Sequence, residues 1–176
     1  MIMKILKIII VVLLIAFSFV QNGVAQTTRK ERKAKKIALI AKLINDTSYV
    51  FSANYANPTK GGQKMLSFGY DFTVSKDTIK AYLPYYGEAY LAPNDPSTNE
   101  GGIKFTSTKF TYNKKQFKNG GWDITIKPKD GNFSNWRDVQ SMTLRISEEG
   151  YANLQVVSSN RDFINFDGEI VAKTAQ

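Results

Sequence analysis

Tyrosine side chains crowd one short stretch of the sequence, "AYLPYYGEAYL", which begins at Ala81. A tyrosine offers a flat apolar ring and a hydroxyl that hydrogen-bonds, which suits contact with sugar rings, peptides or lipid tails. The one carboxylate among these rings is suited to orient a polar group of a ligand. The stretch predicts a ligand-binding surface made by Tyr82, Tyr85, Tyr86, Glu88 and Tyr90. The competing interpretation is ordinary cross-strand packing, because β-strands favour aromatic residues.

A second cluster, "SSNRDFINFDGEI", begins at Ser158 and places two carboxylates in one strand phase, those of Asp167 and Glu169. Two such groups lie about 7 Å apart along a strand, a separation that suits the acid and base of an inverting glycosidase. The alternative function is therefore a carboxylate-based hydrolase of envelope or dietary glycans, with Asp167 and Glu169 or Glu88 as its acid and base. A surface ion-pair network that includes Arg161 and Asp162 is the simpler interpretation.

Missing residue types exclude most other chemistry. The sequence has no His and no Cys, so it cannot build a Ser-His-Asp triad, a Cys-His nucleophile pair, a thiolate or imidazole zinc site, or the usual axial ligation of haem. It also has no Gly-rich loop that joins a strand to a helix in the phosphate-binding pattern. We expect no cofactor, no metal site and no catalytic residue, and we favour a protein that is not an enzyme.

The first 25 residues have the pattern of a secretory signal peptide. Lys4 and Lys7 precede and flank a thirteen-residue apolar run from Ile8 to Val20, and a small residue follows at Ala25. The run is shorter than the roughly twenty residues of a membrane-spanning helix. We predict cleavage near Ala25 and a periplasmic or secreted mature chain. The less favoured alternative is an uncleaved anchor, because basic residues directly after an apolar segment resist translocation.

The positive charge is concentrated near the N-terminus. The formal net charge is +9, yet residues 1–25 contain two Lys and no acid, and residues 26–44 contain seven basic residues and one acid, which leaves +1 for residues 45–176. A nearly neutral body does not offer the basic face that nucleic acid requires. We therefore expect no nucleic-acid partner.

Residues 26–46 are predicted to form a basic amphipathic helix. Thr28 and Glu31 have capping-box spacing, and a single apolar stripe then follows at Ile37, Ile40, Ala41 and Ile44. The stripe lies mostly beyond the basic residues, whereas a helix that lies on a membrane interleaves the two along its length. We favour a helix that packs on the protein body, and contact with a membrane is the less favoured alternative.

Residues 47–176 are predicted to form one antiparallel β domain. Apolar residues alternate with polar ones, as at Phe68, Tyr70, Phe72 and Val74, and short turn sequences separate the runs. We expect a mainly β fold of about eight or nine strands, an antiparallel β-barrel or β-sandwich, with one N-terminal amphipathic helix packed against it. Pro84 and Gly87 should break the Tyr-rich strand, which makes it an edge strand or a kinked corner.

Four segments together resemble a known family: "YVFSANYANP" at Tyr49, "LPYYGEAY" at Leu83, "GGIKF" at Gly101 and "SSNRDFINFDGEI" at Ser158. The chain resembles, over essentially its whole mature length, the secreted bacterial family catalogued as domain of unknown function 4251. The resemblance implies an exported, β-rich protein of Bacteroidetes-type bacteria with no established activity. It supplies no catalytic residues.

The favoured function is an exported, periplasmic, non-enzymatic binding or interaction domain that uses the Tyr-rich strand. Its partner is expected to be an unknown small molecule or an envelope protein. Besides the glycan hydrolase, a structural partner in an envelope complex is an alternative, and it would present an exposed apolar patch instead of a cavity.

Overall fold

The computed structural model describes residues 28–67, 69–90, 102–129 and 139–173. The predicted signal peptide and its cleavage at Ala25 lie outside these residues. The chain divides into two units, Met1–Ala38 and Leu39–Gln176. The whole sheet belongs to the second unit. Within the described residues, no helix combines the length and apolar character needed to cross a bilayer.

One α-helix, α1, covers residues 28–45. Its last turns carry Ile40 and Ile44, which are buried in the same hydrophobic cluster as the sheet. Thr47 ends the helix with a left-handed backbone, φ 51°, and the amide of Ser48 donates to the carbonyl of Leu43 at 3.1 Å. This bond and the positive φ are those of a Schellman motif. The predicted helix that packs against the β domain is confirmed.

All the strands pair antiparallel, in the sheet order β5-β4-β3-β1-β10-β9-β8-β7-β6, with β2 beside β1. Most neighbours in this order are consecutive in sequence, as short turns require. There are two exceptions: β1 pairs with β3 past the short β2, and it pairs with β10, which joins the beginning of the sheet to its end. The strands are β1 (Tyr49–Pro58), β2 (Lys64–Met65), β3 (Asp71–Val74), β4 (Ile79–Pro84), β5 (Gly102–Ser107), β6 (Phe110–Gln116), β7 (Trp122–Pro128), β8 (Val139–Ile146), β9 (Tyr151–Ser158) and β10 (Ile164–Val171).

The sheet curves into a nearly closed barrel, and β5 and β6 are the two terminal strands of its order. Only Thr108 and Lys109 lie between them. The antiparallel pairings make β5 and β6 run in the same sense. They are therefore successive halves of one bent run of chain, of which the first half pairs with β4 and the second with β7. Of the two predicted folds, β-barrel and β-sandwich, the β-barrel is confirmed.

The hydrophobic core fills the inside of the barrel. Along most strands one phase is buried and the other faces solvent, as in β7, where Trp122, Ile124 and Ile126 are buried between partly or fully exposed residues. The largest fully buried side chains include four aromatic ones, which belong to Tyr49, Phe51, Phe72 and Phe166. The expected role of Trp122 as a core residue is confirmed.

The Tyr-rich strand lies inside the sheet and not at its edge. β4 pairs with β3 on one side and with β5 on the other, so the expectation of an edge strand is wrong. The expected kinked corner is confirmed: β4 ends at Pro84, because proline has no N–H to donate to a sheet ladder. Beyond Pro84 the chain leaves the barrel wall, and side chains on the two sides of the proline no longer share one strand period.

Candidate functional site

The segment after the corner, residues 85–90, meets the connection between β9 and β10. The amide of Tyr90 donates to the carbonyl of Asn160 at 2.8 Å, and the amide of Asp162 donates to the carbonyl of Glu88 at 3.1 Å. Ala89 and Arg161 form an isolated antiparallel bridge. The two sequence clusters singled out above therefore make one structure, which we call the end cluster: Tyr85, Glu88, Tyr90, Arg161, Asp162, Thr59 and Lys60.

Tyr85 lies at the centre of the end cluster. Its hydroxyl lies 2.9 Å from the carbonyl oxygen of Glu88 and 3.0 Å from that of Asp162. The guanidinium of Arg161 lies over its ring, 4.7 Å from the ring centroid, and Arg161 also donates to the carbonyl of Gly102 at 3.1 Å. Burial raises the pKa of Tyr85 to about 12, and the nearby Asp162 adds to the shift. Both the ring and the hydroxyl of Tyr85 thus hold the chain together at this end.

The carboxylate of Asp162 accepts hydrogen bonds on the solvent side of the end cluster. It accepts from the hydroxyl of Tyr90 and, at 2.9 Å, from that of Thr59. These two bonds lower the pKa of Asp162. The bond between Tyr90 and Asp162 also raises the pKa of Tyr90. Beside them the Nζ of Lys60 lies 2.9 Å from a carboxylate oxygen of Glu88, which raises the pKa of this lysine. Tyr90 and Glu88, two of the predicted ligand contacts, are therefore bonded within the chain.

Tyr86 and Tyr82 have exposed rings. Both side chains are 43% exposed, but they lie on opposite sides of the Pro84 corner. Tyr82 faces outward from β4, because its neighbours Ala81 and Leu83 are buried. Its ring stacks on that of Tyr70, with centroids 5.8 Å apart and planes 13° apart, and the Nζ of Lys104 lies 4.9 Å from its centroid. The structure therefore separates the five predicted residues into two places.

Tyr82 lines a groove of about 640 Å³ on the outside of the barrel. We call it the outer groove. Its walls are the outward-facing residues of four neighbouring strands and the chain that follows β10. This volume lies in the range of small-molecule sites, roughly 300 to 1,000 Å³. The residues that line it are Val50, Asp71, Thr73, Lys80, Tyr82, Val171, Ala172 and Lys173.

The outer groove has charged groups beside an apolar floor. Val50 pairs with Val171 across β1 and β10, and the two valines lie side by side in the groove. Lys80 faces outward from β4, and the Nζ of Lys173 hydrogen-bonds the hydroxyl of Ser75. Lys80 and Lys173 could not be linked from the sequence, because the two are 93 positions apart and come together only through the pairing of β10 with β1, β1 with β3 and β3 with β4.

The carboxylates of the alternative hydrolase lie in two separate places. Asp167 faces outward from β10, where its two oxygens accept from the amide of Asn57 at 2.6 Å and from that of Asn153 at 2.9 Å. Glu169 is the next outward residue of β10, whereas Glu88 belongs to the end cluster. Asp167 borders a recess of about 450 Å³, lined by Asn54, Tyr55, Tyr151, Ala152, Asp167 and Gly168.

Within the described residues, no group of three or more acidic, His or Cys side chains is arranged to hold a metal ion. The polar contacts that the end cluster and the recess display are instead hydrogen bonds and ion pairs between protein groups.

Comparison with known proteins connects this fold to a family. A search of curated proteins finds no match. Among solved structures, the crystal structure of a DUF4251 family protein from Bacteroides eggerthii DSM 20697 aligns with a TM-score of 0.58 and 11% sequence identity, covering 81% of this chain and 91% of that chain. At this identity the likeness shows the fold alone. A family model described as "Domain of unknown function (DUF4251)" matches residues 31–170, and the chain therefore belongs to the DUF4251 family.

Proposed function

We propose that this protein is an exported, periplasmic or secreted binding domain without enzymatic activity, and that it binds a small ligand in the outer groove at Tyr82. The observation that carries the proposal is the groove itself, which combines an exposed aromatic ring, an apolar floor and charged side chains in about 640 Å³. A concave surface with a few placed polar groups is the usual form of a small-molecule site.

The packing of the barrel supports an external site. Aromatic and branched side chains from the strands occupy the interior, and many of them have no exposed surface. A ligand that entered there would have to displace this core, which costs about 2 to 5 kcal/mol for each large side chain removed. The outer groove needs no such rearrangement, because its lining residues already face solvent.

The hydrogen bonds of the tyrosines indicate that these residues have different roles. Tyr85 and Tyr90 stabilise the barrel end through Asp162. Tyr82 presents its ring to the groove, and its hydrogen-bonding hydroxyl is not committed to the end cluster. Tyr82 is therefore the ligand contact in this function, and Tyr85 and Tyr90 belong to the structure that supports it.

Export is supported by the sequence of the first 25 residues, where basic residues flank an apolar run of signal-peptide length. The absence of cysteine means that the domain needs no disulfide chemistry after export. Determination of the N-terminus of the protein from its own cells tests this part, and a mature chain that begins near Gln26 is expected. An N-terminus that still carries the apolar run would contradict it.

Native mass spectrometry tests the binding. The protein is purified gently from its own cell envelope, as wild type and as the variants Tyr82→Ala and Tyr151→Ala. Tyr151 is a matched control, because it is an outward-facing tyrosine, 62% exposed, that lies outside the groove. We expect a bound small mass on the wild type and on Tyr151→Ala, and its loss from Tyr82→Ala. A mass that persists on Tyr82→Ala would place the ligand elsewhere.

A further inference from the structure

We infer that the outer groove takes an anionic ligand, a carboxylate or a phosphate ester that carries a flat ring, with the ring packed beside Tyr82 and the anion between Lys80 and Lys173. The inference rests on the proposed function and adds the chemical class of its ligand. It follows from the charges that line the groove and from their order along the strands.

Positive charge exceeds negative charge around the groove. Lys80 and Lys173 line it together with a single carboxylate, that of Asp71. A third lysine, Lys104, lies directly across from Tyr82 on β5 and holds its Nζ over the tyrosine ring. Three cations around one carboxylate favour a ligand of negative charge, because unlike charges attract through the partly desolvated walls of a cleft.

Lys80 and Lys173 lie toward one end of the groove, whereas Asp71 and Lys104 flank Tyr82 at the other. The strand register places Lys80 opposite Thr73, and Tyr82 opposite Asp71. Lys173 lies near the turn between β3 and β4, where its Nζ contacts Ser75. The groove therefore has a basic end toward this turn, and an aromatic end with one carboxylate further along β4.

The spacing between these ends sets the size of the ligand. Lys80 and Tyr82 are two residues apart on one face of β4, which separates their side chains by roughly 7 Å. A ring packed beside Tyr82, whose own ring already contacts Tyr70 and Lys104, would thus bring an acidic substituent on its edge within reach of the flexible lysine. The hydroxyl of Thr73, directly across from Lys80, donates to a carboxylate oxygen of Asp71 at 3.4 Å and so holds this acid at the side of the groove.

An NMR titration with three small probes tests the inference. Benzoate, phenyl phosphate and benzamide share a ring, and only the first two carry a negative charge. We expect the two anions to shift the backbone amides of residues 80, 82 and 173 at lower concentration than benzamide does. Tighter binding of benzoate than of phenyl phosphate would identify a carboxylate ligand, and the reverse order a phosphate ester.

Charge variants complete the test. Lys80→Gln and Lys173→Gln should each weaken the binding of the anionic probes about two- to fivefold, the range for a solvent-exposed ion pair, and leave that of benzamide unchanged. Lys127→Gln is the matched control, because Lys127 faces outward from β7, on the other side of the β5 and β6 junction. It should not change the binding of any probe.

The outcomes separate the inference from the proposed function. Equal affinity for benzamide and the anions, lost in Tyr82→Ala but insensitive to both lysine variants, would overturn the anionic ligand and leave the binding groove standing. No Tyr82-dependent shift from any of the three probes, in variants whose circular dichroism and thermal unfolding match the wild type, would overturn both.

Discussion

The hydroxyl of Tyr85 lies 3.0 Å from the carbonyl oxygen of Asp162, although 77 positions separate the two residues in the sequence. This contact fixes the segment beyond the Pro84 corner to the connection between β9 and β10. Two segments that are distant in the sequence thus contribute to the same end cluster, together with Thr59 and Lys60.

Removal of this hydroxyl should weaken the fold. Tyr85→Phe keeps the ring under the guanidinium of Arg161 but removes the hydroxyl that donates to the carbonyls of Glu88 and Asp162, of which the first still accepts from the amide of Asp162. We expect the free energy of unfolding to fall by about 1 kcal/mol, measured by chemical denaturation. Tyr86→Phe is the control, because the ring of Tyr86 is exposed. An equal effect of the two substitutions would show that the hydrogen bonds of Tyr85 contribute nothing particular.

The stability of the protein should depend on Tyr85 at alkaline pH. Its pKa is raised to about 12 in the folded protein, from 10.0. A raised pKa means that its contribution is complete below pH 10 and is lost as the pH rises toward 12, since the unfolded chain ionises first. The difference in unfolding free energy between wild type and Tyr85→Phe should therefore shrink over that window. A difference that stays constant from pH 9 to pH 12 would contradict the assignment.

Asp162 should make the stability of the protein depend on pH in the acid range, where its contribution is lost as the pH falls. Hydrogen bonds from Tyr90 and Thr59 lower its pKa below 3.8 in the folded protein. Its contribution is therefore present above the pKa of the unfolded chain and is lost as the pH falls through the lower folded value. Thermal unfolding between pH 5 and pH 2 should show a smaller acid loss for Asp162→Asn than for the wild type. Parallel curves for the two proteins would refute this role.

Gly168 should resist substitution because β1 and β10 approach closely there. A Cβ at this position would lie 1.9 Å from the carbonyl oxygen of Ser52, which is backbone and cannot move aside easily. We expect Gly168→Ala to destabilise the protein by about 3 kcal/mol. Gly61→Ala provides the comparison, because an added Cβ there meets no atom within 4 Å and only the positive φ is strained. Similar stability of the two variants would show that the strands separate readily at Gly168.

Asp167 should matter for stability and not for glycan cleavage. Both of its oxygens already accept hydrogen bonds, from Asn57 and Asn153. Asp167→Leu should therefore cost about 1 to 2 kcal/mol of stability, because two amide groups lose their acceptor. We also expect the wild type to release no reducing ends from glycan panels. Release that Asp167→Asn abolishes would establish the hydrolase instead.

Local patterns in the sequence were sufficient to predict the helix and the strands. The stripe that includes Ile40 and Ile44 marked the helix face that is buried, and the period-two pattern marked β3 and β7. Closure of the barrel could not be predicted in this way. It depends on Thr108 and Lys109 bending the chain without reversing it, and a two-residue interval of this kind usually suggests a hairpin.

The site was predictable only in part, for a similar reason. Tyr82 was identified by its residue type, but the sequence could not show that Pro84 separates it from Tyr85 in space. Lys173 could not be linked to Tyr82 at all. Their proximity depends on the long-range pairing of β1 with β10, which leaves no mark on the local pattern of either strand.

The pairing of Val50 with Val171 also sets an order of events in folding. The strands from β6 to β9 can form successive hairpins early in folding, because each partner is adjacent in sequence. β1 must wait for the last strand of the chain before its long edge is covered. Loop closure of this length is slow, and an unpaired strand edge is prone to aggregation while it persists. Protection of β1 until β10 has paired with it would therefore reduce aggregation during folding.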